Sequence, residues 1–376
     1  MIRCETKPRA DWEKKVAQYG LIFHHTAGRP YWNESAYYRL SAKQVDDLEA
    51  STNELQKMCL AAGQHIIDSH RYADLGIPTE AIPLIEWAWD VEPPAIYGRM
   101  DLTYDGVNPP KLLEYNADTP TGLLEAAVVQ WYWKEEVSPK SDQFNSIHER
   151  LVAKWTDLGK YLGAPPLYFT HIDDPQGEDT ITANYLRDTA EDAGVKTAAI
   201  KIPDIGWDGS RFVDLDLQPI MSIFKLYPWE WLIHEEFGGH ALATYKDVMW
   251  IEPIWKMLLS NKGILPILWE LYPGHRNLLE AHFDGPHDMK EFVKKPKMSR
   301  EGANITLVQA DGTMHTDGDY GEEGFVYQEL KLARIDGHFP VLGSWVIDGE
   351  SAGIGIRESE TPITNNLSAF VPHIFT

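Results

Sequence analysis

Between Gly98 and Ala126 the chain reads GRMDLTYDGVNPPKLLEYNADTPTGLLEA, and this block limits the fold more than any other. Residues 96–102 and 111–116 have strand character, and TYDGVNPP between them is dense in turn-forming residues. Side chains two apart on a strand share a face, so Arg99 lies with Asp101 and Glu114 with Asn116. Paired as a hairpin, the two strands bring one guanidinium, two carboxylates and one amide together. Asp, Glu and Asn oxygens are hard ligands that suit Mg²⁺, which keeps waters and completes its shell with phosphates. Arg99 can then meet a phosphate or a carboxylate through paired N–H groups. A helix is expected over 121–134, capped by Thr119 or Thr121, and the free N–H groups at such a start favour an anion. The bland alternative is a solvated hairpin face with surface ion pairs and an ordinary cap.

Around this block helix and strand patterns alternate. Over 41–67, Val45, Leu48, Leu55, Cys59, Ala62 and Ile66 recur at three- and four-residue steps, with Ser41 as N-cap. Pro83, Pro93 and Pro94 predict turns. A helix is expected over 142–162, with Phe144, Ile147, Leu151, Trp155 and Leu158 on one face. After Pro165 and Pro166, an apolar strand at 167–172, a helix at 179–193 and a strand at 195–200 read as a βαβ unit with parallel strands. Beyond Asp284 strands dominate, at 292–295, 304–309, 324–330 and 344–347. The class is α/β with mixed sheets.

Composition removes several function classes. The net charge of −23 over 376 residues makes the chain a poor partner for nucleic acid, whose phosphates need a basic surface. Two cysteines, Cys4 and Cys59, cannot build a disulfide scaffold or a Cys-rich zinc module. The opening MIRCETKPRADWEKK lacks the apolar centre of a signal peptide, and no apolar run approaches the ~20 residues of a membrane span. A soluble, cytoplasmic protein without membrane partners is expected. The 14 Trp and 17 Tyr are spread along the chain, which suits core filling better than a stacking platform.

Three further stretches carry chemistry-bearing residues, each weak alone. FVKKPKMSREGANI puts Lys294 and Lys295 on a strand before a loop of Ser299, Arg300, Glu301 and Gly302, a way to clamp phosphates without the P-loop pattern. FVYQELKL, containing Gln328, Glu329, Leu330 and Lys331, is a strand end that can offer backbone groups to a base. SAGIGIRE packs small residues around Gly353 and Gly355 and aims Arg357 at a cleft. His24, His25 and His171 read as structural, and HFDGPHD from His282 as a polar loop rather than a metal site. HExxH is missing.

Taken together and in order, these segments resemble the synthetase domain of the glutathionylspermidine synthetase family, ATP-grasp carboxylate–amine ligases. GLIFHHTAGRPYWNESAYY, the RMD…LLEYNADTPTGLLEA block, FKLYPWEWLIHEE, WKMLLSNKGILPILWELYPGH, KKPKMSREGANI, VYQEL and GSWVIDGESAGIGIRESETPIT carry the likeness over nearly the whole chain. The resemblance implies an ATP-grasp fold in permuted order, with the metal-ligand block ahead of the lysines. It implies ATP and Mg²⁺, with Asp101, Glu114 and Asn116 as metal ligands. Arg99 and Arg357 then stand near the reacting phosphoryl and carboxylate groups, and Lys262 with Lys294 or Lys295 on the nucleotide. Ser299–Gly302 is the closing loop, Gln328, Glu329, Leu330 and Lys331 the adenine hinge, and Thr119, with Thr121, the hold on the acid substrate. The implied reaction joins a small acid to an amine through an acylphosphate, a glutathione-like carboxylate and a polyamine being the family's pair. The chain is read as one unit over 1–376: helices and metal-ligand hairpin in 1–140, the βαβ unit in 141–245, and the nucleotide lid and core in 246–376. Cys4 and Cys59 lack the setting of an amidase nucleophile, so no amidase activity is expected. Two competing readings are a nucleotide-binding homologue without catalysis and a glycoside hydrolase built on Trp and paired carboxylates.

Overall fold

The computed structural model describes residues 1–376 apart from Asp173, Pro175, Gln176, Glu301, Thr364, Asn365, Asn366 and Leu367. The strands Tyr97–Thr103 and Lys111–Asn116 pair antiparallel, with Arg99 opposite Asn116 and Asp101 opposite Glu114. The predicted hairpin therefore forms, and in the register that gathers the four polar groups. It lies at one edge of a five-stranded antiparallel sheet in the order Ala369–Val371, Glu350–Ser359, Phe339–Ile347, Tyr97–Thr103, Lys111–Asn116.

Both faces of this central sheet are covered, which explains why its later strands read as apolar runs rather than alternation. One face packs under the helix Ala42–Asp68, whose predicted stripe is buried throughout from Val45 to Ile66. Ser41 caps it as expected: its hydroxyl accepts the Gln44 N–H, and the Gln44 side chain returns to the Ser41 N–H. Thr52 and Ser344 join helix to sheet by a buried 2.7 Å hydroxyl pair. The other face meets Leu123, Trp133, Leu151 and Trp155 in a second core with Trp345, Ala352 and Phe370. The fully buried Trp32, Trp133, Trp155, Trp229 and Trp345 are core rings, in line with the even spread of tryptophan.

The βαβ unit also forms, as Leu167–His171, the helix Glu178–Asp192 and Thr197–Ala199 with parallel pairing. Ser222–Leu226 and Met249–Ile251 extend it to a four-stranded parallel sheet. A third sheet is antiparallel, in the order Ala281–His282, Phe325–Glu329, Phe292–Pro296, Thr306–Gln309, Gly312–His315.

Three local expectations change. The helix expected over 142–162 is shorter, Ile147–Leu158, because Asp142 and Asn145 bridge to Phe375 and Gly353 before it begins. Pro83 does not break the chain; it lies in the first turn of the helix Ile82–Val91, where a missing N–H costs nothing. Glu350–Ser359, expected only as a small-residue stretch, is a ten-residue strand. Among the described residues no helix is long and apolar enough to cross a membrane.

The strand His373–Phe375 adds in parallel to Ala36–Leu40, burying His373 completely. Its Nδ1 lies 2.9 Å from the Gln130 amide oxygen. Burial holds the imidazole pKa down at about 3, against 6.5 ordinarily. Between these values the unfolded chain binds a proton that the folded one refuses, so stability falls as pH drops below 6.5. Each pH unit of acidification costs about 1.4 kcal/mol. Urea unfolding at pH 7 and pH 5 should differ by about 2 kcal/mol from this group, and His373→Gln should flatten the slope. An unchanged slope assigns acid sensitivity elsewhere.

Candidate active site

The four hairpin groups touch. Asn116 Nδ2 donates to Asp101 at 3.4 Å and to Glu114 at 3.3 Å. Arg99 is engaged by its neighbour: Nε and Nη2 donate to the two Asp101 oxygens at 2.7 and 3.0 Å. Its Nη1 donates to the Thr121 carbonyl at 2.6 Å. This bidentate grip is the fork geometry natural to a guanidinium and a carboxylate on one strand face. The guanidinium lies across Gly343, where a Cβ would come 2.7 Å from Arg99 Cδ. Gly343→Ala should therefore push Arg99 out of line and lower turnover about 100-fold, with thermal stability nearly unchanged. Steady-state rates beside a melting curve check it; an unaffected rate removes Arg99 placement from the list of requirements.

The third sheet, through Lys295, and the turn before the helix Ile264–Leu271, through Lys262, bring two lysines to the same place. Lys262 Nζ lies 3.2 Å from Glu114 and donates to the Ser299 carbonyl at 2.8 Å. Lys295 Nζ donates to the Leu113 carbonyl at 2.9 Å and to the Gln328 amide oxygen at 2.7 Å. Lys294 points the other way, over the Phe325 ring at 4.0 Å. Strand alternation thus gives the buried position to Lys295 and leaves Lys294 outside. Burial lowers the Lys295 pKa to about 8, Glu114 opposing the shift and Lys262 adding to it. Burial alone would raise Glu114, but Lys262 and Lys295 outweigh it and hold the carboxylate at about 2. A glycoside hydrolase needs one carboxyl kept protonated as its acid, and Glu114 is unsuited to that role.

A cavity between the central and third sheets is lined by Asp101, Glu114, Lys295, Gly302, Gln328, Glu329, Leu330 and Lys331, with Leu113, Val293 and Leu307 as apolar walls. Gln328 turns its side chain inward, its Nε2 donating to the Leu112 carbonyl at 3.0 Å, so only its backbone faces the hinge. A second, smaller cavity joins Arg99, Thr121, Glu178, Trp345 and Arg357. A third joins Asn116, Thr119, Ser299 and Arg300 with Asp118 and Glu230. The loop is docked: Arg300 Nη2 donates to the Thr119 hydroxyl at 3.0 Å, and its guanidinium lies 5.3 Å from the Trp231 ring centre. Glu301 lies outside the described residues. Neither Thr119 nor Thr121 caps the following helix; Gly122 turns the chain at φ 78°, and the Ala126 N–H bonds its carbonyl. All the remaining expected site residues line these three spaces or bond to their walls.

Residues 3–376 match the profile of the glutathionylspermidine synthase preATP-grasp family. The chain belongs to that family. A Haemophilus influenzae protein provisionally named an acid–amine ligase is 40% identical, over 98% of this chain and 97% of its own length. The bifunctional glutathionylspermidine synthetase/amidase of Escherichia coli is 28% identical over 90% of this chain and 59% of its own length. Trypanothione synthetase of Crithidia fasciculata is 29% identical over 82% and 52% respectively, so this chain spans little more than half of those two larger relatives. The structure of a glutathione synthetase-like effector from Globodera pallida superposes with a TM-score of 0.61 over 98% of this chain and 96% of that one, at 10% identity. The fold is accordingly that of the glutathione synthetase-like, ATP-grasp type, and membership makes the chain a ligase by family.

Sequence reasoning missed five residues of this site. Glu178 begins the helix Glu178–Asp192 and faces Arg357 across the small cavity. Glu125 is buried behind it and accepts the Tyr31 hydroxyl at 2.7 Å. Lys225 and Asp118 form a buried 2.8 Å ion pair, and Asp118 also accepts the Trp229 N–H at 3.1 Å. Glu230 is raised by burial and by Asp118. The FKLYPWEW block held Lys225 and Glu230 in plain view, but only a fold brings them to Asp118. Outside the linings of these cavities, Glu13, His24 and His25 form the one group of His, Cys, Asp and Glu among the described residues with metal-ligand proximity. His282 and His287 each pair with a carboxylate, Glu280 and Asp284, as expected of a polar loop.

Proposed function

We propose that the protein is an ATP-dependent carboxylate–amine ligase that forms an amide through an acylphosphate. The observation that carries this is the meeting of Asp101, Glu114 and Asn116 with Lys262 and Lys295 at the floor of a cavity lined by the Gln328–Lys331 strand end. Apolar walls suit a base, and the Lys331 N–H, which has no backbone partner among the described residues, is free to meet it. Lys262 and Lys295 offset phosphate charge. The two carboxylates and, after a half-turn of its amide, the Asn116 oxygen fit Mg²⁺, which would shield the phosphates and polarise the transferring group.

Arg99 and Arg357 stand where charge builds on the phosphoryl and acyl oxygens, a preorganised arrangement that favours the transition state. Arg99 would reach that role by exchanging Asp101 for substrate, leaving the carboxylate as one of the groups that would hold Mg²⁺. Thr119 and Thr121 hold the acid. Glu178 supplies negative charge for an incoming ammonium. The loop held by Lys262 and Arg300 keeps water from an acylphosphate that would otherwise hydrolyse. Cys59 has no part, since burial pushes its thiol up to about 12, and no amidase activity is expected.

The test is ADP release from Mg-ATP with glutathione plus spermidine, products read by mass. A conjugate one water lighter than the summed substrates, matched to ADP, is the expected result. ATP binding without turnover across a panel of acids and amines leaves the nucleotide-binding homologue; no binding of Mg-ATP overturns the proposal.

A further inference from the structure

Behind the wall of the small cavity lies a carboxyl that none of the steps above uses. Glu125 is 1% exposed, opens the π-helical turn Glu125–Val129, and is held by the equally buried Tyr31. Single π-turns inside helices recur at functional sites, because they displace one residue from the regular ladder. The turn presses against the central sheet at Gly355, where a Cβ would lie 3.3 Å from Ala126 and 2.7 Å from the Phe370 ring. Gly355 is two residues before Arg357 on the same strand face, so the bare strand lets the turn approach the cavity floor. The groups facing the Glu125 carboxyl are Tyr31, Glu178 and Arg357, and Tyr31 in turn faces Glu178 and Arg357. Four groups from four separate segments thus lie within electrostatic reach of one another: Glu178 and Arg357 at the cavity wall, and Tyr31 and Glu125 in contact behind it.

Two neighbouring carboxylates with limited access to water do not both ionise freely. Burial first, and Glu178 second, raise Glu125 to about 7, with the Tyr31 hydrogen bond and Arg357 pulling the other way. The proton therefore rests on the deeper carboxyl. An ammonium arriving at Glu178 reverses this, since its charge favours ionisation of Glu125, whose resting proton goes to solvent.

We propose that Glu125 receives the proton that the attacking amine gives up, with Glu178 touching the amine and Tyr31 fixing the Glu125 carboxyl behind it. This rests on the ligase reading above. The amine arrives as R–NH₃⁺, and one proton passes by way of Glu178 to the Glu125 carboxylate. The freed lone pair attacks the acyl carbon, forming C–N. The C–O bond to the phosphoryl group breaks with its electron pair going to phosphate, and a second nitrogen proton leaves with that phosphate. Glu125 returns its proton to solvent as product departs. Standing behind Glu178, it is a positioning residue that decides where the proton ends.

The experiment compares wild type, Glu125→Gln and Tyr31→Phe with Mg-ATP and glutathione, using either spermidine or hydroxylamine as nucleophile. Hydroxylamine is unprotonated at neutral pH and needs no acceptor. Glu125→Gln should lose about 100-fold or more with spermidine yet form hydroxamate at the wild-type rate. Tyr31→Phe removes a bond that lowers the Glu125 pKa, so the acidic limb of the spermidine profile should move to higher pH with KM unchanged. Equal loss with both nucleophiles, or an unaltered spermidine profile, overturns the proposal. Failure of the ligase reading looks different, because wild type itself then gives neither ADP nor hydroxamate. Carbon NMR of glutamate-labelled protein tests the proton site without turnover. One carboxyl should titrate near 7, vanish in Glu125→Gln, and shift lower when spermidine is added; titration of Glu125 in the ordinary carboxylate range overturns the proposal for any substrate. Should Glu125→Gln fail to fold, Tyr31→Phe and this titration decide.

Discussion

Asp101→Asn should lower ligase turnover by about 10³-fold while the protein melts near its wild-type temperature. The side chain keeps its size and one acceptor for Arg99, so the hairpin register and the Arg99 bond to the Thr121 carbonyl survive. What goes is a full negative charge at the point where Asn116 and Arg99 converge on it. A preorganised charge in a water-poor site contributes about 3–4 kcal/mol to a transition state, hence the size of the loss. The neighbouring Glu114, held ionised by two lysines, cannot substitute, because its charge is already shared with Lys262. Single-turnover ADP release at saturating Mg-ATP is the measurement. A rate within tenfold of wild type would remove Asp101 from the metal set.

The largest stability effect should come from the buried pair beside that site. Lys225 and Asp118 have side chains 1% and 3% exposed and lie 2.8 Å apart. Lys225 also donates to the Tyr227 carbonyl at 3.0 Å, while Asp118 takes the Trp229 N–H. Burial lowers the Lys225 pKa and Asp118 opposes the shift, so the lysine depends on its partner to stay charged. Lys225→Met leaves Asp118 charged, buried and short of a partner, a change that costs about 3–5 kcal/mol. Adding Asp118→Asn removes the stranded charge and should recover more than half of the loss. Urea unfolding of the single and double variants reads both numbers. Equal losses in the two would mean that packing around Trp229, rather than the ion pair, sets the cost.

The hairpin was legible because alternation, a turn-rich loop and like side chains at i and i+2 all specify one register. The helix from Ser41 was legible for a similar reason, its cap and its stripe agreeing. Contacts made across the fold left no local trace. Lys294 and Lys295 are told apart only when Phe325–Glu329 pairs with their strand and buries one face. Arg99 reads as a phosphate ligand by type, but its nearest anion is on its own strand. Glu125 and Glu178 lie in different helices whose sequences show no sign of each other. The early start assigned to the helix at 142 failed because backbone bridges to Phe375 and Gly353 outbid helical propensity there.

The pairing of Tyr97–Thr103 with Phe339–Ile347 joins segments separated by more than half the chain. Strands and loops between them close a long loop before that contact can form, which makes it late and slow in folding. On a ribosome, the hairpin with Arg99 and Asp101 emerges long before the strand that carries Gly343, and both precede Arg357. The reaction centre is therefore a product of chain completion. Until the last strands dock, the Tyr97–Thr103 edge stands open to pairing with other chains, a hazard that nascent-chain chaperones exist to cover.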